Sequence, residues 1–464
     1  MLDILSSMPV RPPVENAAND AHRISLVTKF GQLSGLLLFC LTFSTVTRAC
    51  PDLSPYYLGD QADWNALERE LLNLTSECLE SSEFFALLGA AQLNNNKVPA
   101  SLESLERALL LEPQNGAAQI DYARALFQQG DLFAALELNR NILLRNDLPV
   151  NLVPLLEERQ RTWQSFTRQQ TFNLDLLAGY DSNLNTAPES SQITLTLSGE
   201  PVVLELNPEF QPTEGAYINF RFGARLRQLR PGYQNNWRLE ASGRASEDQE
   251  SDLLQLDAGY AMIRPGRNSS LQVSTALTHL FFGGNPLYTA SEAIVRYQPR
   301  STRQCNPYYD LALQYQLFHE RSQLNALESK LGAGLSCPLQ VAGINHQFIM
   351  EAGLLNNFAL DGGRPGDDRN GFQANLVWQV NLGMNEFRSQ LSYTEIRDHA
   401  TYSPLLADGA RREIDRSFIL LQYRRPASDR ATILVNIFHQ DQRSNLQLFT
   451  NSDTSVEFGF SYRL

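Results

Sequence analysis

The chain has 464 residues, enough for two or three domains, and its 51 acidic against 38 basic side chains give a formal net charge of −13. That balance argues against a nucleic-acid surface, which needs clustered basic groups to meet phosphates. After residue 50 no run approaches the roughly 20 apolar residues of a spanning helix. That does not exclude a membrane protein, because barrel strands dilute their apolar residues with lumenal polar ones.

In chain order, residues 31–46 (GQLSGLLLFCLTFSTV) form the one continuous apolar run. Arg23 and Lys29 precede it and Thr47-Arg48-Ala49 comes after it. A positive flank, a short apolar core and a small residue at the end predict a secretory signal peptide, with a short membrane anchor as the alternative. Residues 1–49 are thus leader and signal. Cleavage after Ala49 leaves Cys50 first, which also invites a lipoprotein reading, although Thr47 and Arg48 fit such a signal poorly. Export implies an oxidising compartment. Cys40 would leave with the signal, and Cys50, Cys78, Cys305 and Cys337 would remain, an even number.

Residues 50–165 read as helical. Trp64, Leu67, Leu71, Leu74 and Cys78 share one face at helical spacing. Phe85, Leu88, Gly89, Ala108 and Pro113 then fall at the offsets of a tetratricopeptide unit. Tyr122, Ala123, Gly130, Leu132 and Ala135 make a degenerate second copy about 34 residues later. The small residues let paired helices approach, and Pro113 stops the second helix. The helix near Trp64 and another over 152–163 cap the array, which offers a concave face to an extended peptide or partner protein. A generic pair of helical hairpins is the alternative. Residues 166–170 are a joint without Pro or Gly, so the helical domain is held close to the segment after it.

From residue 171 the period changes to two. In the clearest run Ala216, Ile218, Phe220, Phe222, Ala224 and Leu226 face one way, and Tyr217, Asn219, Arg221, Gly223, Arg225 and Arg227 the other. About fourteen such strands are predicted, an even number as in bacterial barrels. They span 171–182, 215–228, 234–246, 252–264, 269–281, 287–299, 305–319, 325–337, 343–358, 371–382, 385–397, 412–424, 430–441 and 454–464. Alternate connections are short and carry Pro or Gly, as in Arg230-Pro231-Gly232 and Arg264-Pro265-Gly266. The others include the longest, 183–214, 359–370, 398–411 and 442–453. This parity fits periplasmic turns and outer loops. The first long loop has its own alternation over 193–197 and 202–206, a small hairpin free to fold over the barrel mouth or into it. In the last strand Val456, Phe458, Phe460, Tyr462 and Leu464 alternate with Glu457, Gly459, Ser461 and Arg463, an apolar face opposite a polar one. A soluble sandwich also has one apolar face but does not explain the loop parity. The fold class is α+β multidomain: an N-terminal all-α domain, then a transmembrane antiparallel barrel over 171–464.

No HExxH, GxSxG, CxxC or P-loop spacing occurs, and His279, His319, His346, His399 and His439 are scattered. The chain is therefore read as no enzyme, with no cofactor and no metal. The lumen-lining set is Arg221, Arg225, Arg227, Arg238, Glu240, Arg244, Asp257 and Asp310, with Glu328 beside them. Such mixed charges are expected to pair across strands and stiffen the wall.

An export signal, a small tetratricopeptide domain, a short joint and about fourteen strands together resemble the surface lipoprotein assembly modulators of Gram-negative bacteria. Gly179-Tyr180-Asp181-Ser182-Asn183, at the end of the first strand, looks like that family's recurring first-strand signature. The resemblance implies an outer-membrane translocon that moves lipoproteins, or soluble secreted proteins, from periplasm to cell surface. The helical domain would recruit substrate and the barrel conduct it, with no catalytic residues to carry over. Expected partners are the substrate, periplasmic chaperones, the barrel assembly machinery and outer-membrane lipid, and the chain is expected to be a monomer. With no nucleotide site, the energy would come from substrate folding outside or from other machinery. An exopolysaccharide export porin with a tetratricopeptide scaffold is the alternative.

The strand map also predicts a disulfide. Cys305 opens the seventh strand and Cys337 closes the eighth, so the two lie side by side at the periplasmic rim, within reach of a bond. Cys50 and Cys78 would form the other pair.

Overall fold

The computed structural model describes residues 50–56, 63–301 and 304–464. The expected leader and signal peptide lie outside the described residues. Among the described residues six α-helices come first: α1 (Trp64–Leu74), α2 (Ser82–Asn94), α3 (Val98–Leu111), α4 (Gly116–Gln129), α5 (Leu132–Leu143) and α6 (Val153–Ser165). Four of the six starts are set by side-chain caps, and α3 and α6 instead carry Pro in the first turn. Asp63, Ser81, Asn115 and Asp131 each accept hydrogen bonds from backbone N–H groups of the first turn they precede. Gly130 ends α4 at φ 97°, a left-handed conformation that glycine adopts without a Cβ penalty.

The helical core has two parts. Leu71, Phe84, Leu88, Leu105 and Ala108 belong to the first, and Ala123, Ala135, Ile142, Leu156 and Trp163 to the second. Several residues singled out for the repeat lie inside this core. Phe85, Leu88, Ala108 and Ala135 are buried, and a Cβ on Gly89 would meet Leu105 Cγ at 2.5 Å, so glycine sets the approach of α2 to α3. Cys78 corrects the first helical reading. α1 ends at Leu74, and Cys78 sits buried in the turn beyond it, bonded to Cys50 with Cα atoms 4.6 Å apart.

The strands come next: β1 (Arg168–Asp181), β2 (Gln192–Leu197), β3 (Glu200–Glu205), β4 (Gly215–Arg230), β5 (Tyr233–Ser246), β6 (Leu253–Pro265), β7 (Ser269–Phe282) and β8 (Asn285–Pro299). Then come β9 (Asn306–Phe318), β10 (Ala326–Val341), β11 (Ile344–Ala359), β12 (Arg369–Leu382), β13 (Asn385–Thr401), β14 (Arg411–Pro426), β15 (Ala431–Ser444) and β16 (Asn451–Arg463). Fourteen close into an antiparallel barrel in which each pairs with its sequence neighbours and β1 pairs with β16; β2 and β3 form a separate hairpin. All fourteen predicted barrel strands are present.

Most strand ends shift by one to four residues from the sequence reading, and two of the shifts matter for the site. β1 begins at Arg168, so most of the supposed joint is already strand, and Thr167 O accepts a 2.8 Å hydrogen bond from Leu229 N. α6 therefore runs into the barrel wall almost without a break. β10 continues through Pro338 to Val341 and turns at Ala342-Gly343 (φ 52° and 79°), the positive pair a two-residue hairpin turn requires. β9 stops opposite Ser336, so Pro338 lies where β10 overhangs as an edge, a place that tolerates a missing donor.

The wall is inverted relative to a soluble core. Ile218 and Leu239 are each 60 % exposed and Phe458 is 53 % exposed, while Asp181, Asp310 and Glu457 are buried. Apolar outside and polar inside is the arrangement of a barrel surrounded by lipid.

Candidate functional site

The candidate site is the barrel lumen together with the helical grooves at its N-terminal approach. Alternation along each strand turns the predicted lumenal charges inward, and the register decides which of them meet. Arg221 reaches Glu240 at 3.3 Å, diagonally rather than straight across. Arg244 reaches Asp181 at 3.0 Å. Asp310 takes Arg296 on both carboxylate oxygens at 2.7 Å. Asp257 accepts from Thr278 at 2.6 Å and Gln255 at 2.8 Å. Glu328 accepts from Asn357 at 3.1 Å. Arg227 donates to Gln234 at 3.0 Å.

The expectation that charges pair across strands holds at Arg221–Glu240, Arg244–Asp181 and Arg296–Asp310, whereas Asp257, Glu328 and Arg227 find neutral partners, and at one place like charges meet. Arg225 of β4 is the register partner of Arg238 of β5. No hydrogen bond or ion pair reaches either guanidinium among the described residues. Like charges face each other there because the register sets Arg225 opposite Arg238 and Glu240 opposite Gly223, from where Glu240 pairs with Arg221.

The first-strand motif is a lock at the end of β1. Asp181 Oδ1 accepts from Asn183 N at 2.8 Å, and Asn183 Nδ2 donates to Ala187 O at 3.0 Å and Ser452 O at 3.2 Å. Ser182 exchanges bonds with Thr454 of β16, whereas Tyr180 faces outward, 51 % exposed. A Cβ on Gly179 would meet Tyr217 Cζ at 2.6 Å. The missing side chain thus lets the Tyr217 ring cross β1, so that its hydroxyl lies 3.0 Å from both Ser455 and Glu457 on β16. The same device recurs across β9, β10 and β11. Tyr308 lies over Gly334, donates to Glu351 at 3.2 Å, and carries Arg296 4.3 Å above its ring.

Cys305 and Cys337 are bonded, with Cα atoms 4.2 Å apart, as the strand map predicts. At the opposite rim β2 leans onto the β13–β14 loop, where Thr196 N donates to Leu405 O at 2.8 Å.

The helical domain carries a groove of about 390 Å3 between α4 and α6, walled by Ile120, Phe127, Leu155 and Trp163 and edged by Arg124 and Arg159. The Phe127 and Trp163 rings stack at 4.7 Å. Burial and the neighbouring Arg124 push Arg159 down to about 10, against the pull of Asp121. Arg159 donates to Asn139 at 2.7 Å and Ile120 O at 3.2 Å, and its Nη2 is buried without a partner.

Sequence reading named neither of these arginines, nor Arg296 and Glu351, nor Lys330, which pairs with Glu351, nor Glu292. The strand residues were open to it, since each sits at an inward position of a predicted strand. The helical ones carried no signal beyond ordinary surface charge.

No protein-family model matches the chain, and no curated protein matches it. Among solved structures it is similar to an anion-selective porin from Comamonas acidovorans, with 12 % identity over 64 % of this chain and 99 % of that one and a TM-score of 0.35. A bacterial polysaccharide outer membrane secretin matches at 10 % identity over 63 % of this chain and 98 % of that one, with a TM-score of 0.34. CdiB from Acinetobacter baumannii matches at 11 % identity over 63 % of this chain and 60 % of that one, with a TM-score of 0.33.

Proposed function

We propose that the chain is an outer-membrane translocon that moves lipoproteins, or soluble secreted proteins, from the periplasm to the cell surface. The observation that carries the reading is the α6–β1 junction. A helical array with an apolar, arginine-edged groove joins the rim where the barrel's short turns lie, with no flexible linker between recruiting and conducting parts. In this reading the helical domain is periplasmic and tetratricopeptide-like. It takes an extended segment of substrate, delivered by periplasmic chaperones, and hands it to the lumen. Tethering makes that handover intramolecular and raises the effective substrate concentration at the barrel entry. The chain performs no covalent step, and outward folding of the cargo supplies the driving force.

Deleting the gene and shaving intact cells with protease tests the reading. One or more surface lipoproteins or secreted proteins are expected to disappear from the protease-accessible fraction and accumulate inside. If every one stays accessible while a surface polysaccharide is lost, the translocon reading fails.

A further inference from the structure

The lumen holds a cleft of about 530 Å3 in the barrel half nearer α6. Its floor is made by four small inward residues of β6 and β7, namely Gly259, Ala261, Ser274 and Ala276. Arg225 and Arg238 stand on one side of that floor and Glu292 on the other. Glu292 lies near enough for the Arg238 charge to act on it, but no carboxylate is bonded to either arginine among the described residues. Two guanidiniums at partner positions of adjacent strands repel each other. Elsewhere the same wall resolves its charges, at Arg221–Glu240 and Arg244–Asp181. The small floor leaves the space above the pair open, so the missing counter-charge has room to enter.

We infer that Arg225 and Arg238 form a carboxylate-binding site at the entry half of the lumen. A carboxylate laid over the floor meets two planar donor groups, and charge-assisted bonds of this kind are roughly twice as strong as neutral ones. The carboxylate could belong to acidic side chains of an extended polypeptide or to a free small organic acid. The site rests on the barrel wall alone; it draws on the translocon reading only for the polypeptide source.

The test uses the full-length protein in detergent micelles at low salt. Fluorescence anisotropy tracks a rhodamine-labelled six-residue peptide of alternating Asp and Ala, and its twin with Asn for Asp. The acidic peptide should bind about tenfold more tightly than the twin. R225Q/R238Q should abolish that preference, and the single variants should each weaken it. R267Q/R321Q removes the same two charges from a turn and a loop away from the cleft and should leave the preference intact. Heat-modifiable migration checks that each barrel is closed; the R225Q/R238Q barrel loses a repulsion, so it should close at least as well as the parent. Displacement of the peptide by succinate at equal carboxylate concentration assigns the site to free acids, and failure of succinate to displace it assigns the site to polypeptide. Equal binding of the two peptides, or a preference that survives R225Q/R238Q, overturns the inference. Loss of surface proteins on gene deletion is scored separately, so this site and the translocon reading can fail independently.

Discussion

The helical domain and the barrel use the same apolar residues in opposite ways. Leu71, Phe84 and Leu105 are sealed inside the helical array, whereas Leu239, Ile218 and Phe458 stand on the outer wall of the barrel. The barrel in turn hides Asp181, Asp310 and Glu457. One part is organised by expelling water from its centre, the other by presenting hydrocarbon to lipid while its centre stays polar. A leucine is therefore worth different amounts in the two parts, because a cavity opens behind one and lipid closes over the other.

The largest expected effects test that difference. Leu105→Ala should cost the helical domain about 2–5 kcal/mol, since lost transfer energy and a residual cavity add. Leu239→Ala should cost the barrel about 1–2 kcal/mol, the transfer part alone, because acyl chains fill the space. Urea unfolding of the protein in lipid vesicles, monitored by helix ellipticity and by heat-modifiable migration, separates the two. Equal losses would mean that the outer wall is packed against protein rather than lipid.

The disulfides should erase the contrast. Cys50–Cys78 and Cys305–Cys337 span 28 and 32 residues, and a crosslink acts chiefly by restricting the unfolded chain. Cys50→Ser/Cys78→Ser and Cys305→Ser/Cys337→Ser should each lower stability by about 2–4 kcal/mol, read from unfolding midpoints with and without reductant. A much smaller loss in the barrel would show that its ladder already restricts the denatured hairpin.

The smallest expected effect is a pH response in the helical domain. Burial pushes the Glu68 carboxyl up, but hydrogen bonds from Lys97 and Asn95 and the charge of Lys97 outweigh it and hold the group below its ordinary value. Its contribution is therefore present above the unfolded carboxyl pKa and is lost as pH falls through the lower folded value. Lys97 is 55 % exposed, so water screens the pair and the contribution is a few tenths of a kcal/mol. Glu68→Gln should flatten the acid limb of helical unfolding below about pH 4.5 and leave barrel migration unchanged; an unaltered acid limb would remove Glu68 from it.

The barrel was legible in the sequence because a period of two assigns every strand residue to a face without knowledge of its partners. The small residues at Gly89, Ala108 and Ala135 were legible for the same local reason. Charge pairing was not, since strand tilt and register decide it: Arg221 stands opposite Asp175 in the ladder, yet its ion pair is with Glu240. The role of Gly179 was hidden too. What it makes room for is Tyr217, which lies 38 positions further along the chain and two strands away from the group it reaches.

That crossing bears on how the barrel can open. Parting the first and last strands would give a passage sideways into the bilayer. Here Tyr217 and Asn219 of β4 both reach over β1 to Glu457 of β16, and Asn436 of β15 grips the same carboxylate at 2.9 Å. The boundary between the first and last strands is thus basted across by side chains that skip the strand between them. Unzipping it would strand a buried carboxylate among its abandoned donors. The seam where the sheet closes on itself is therefore poorly suited to serve as a door.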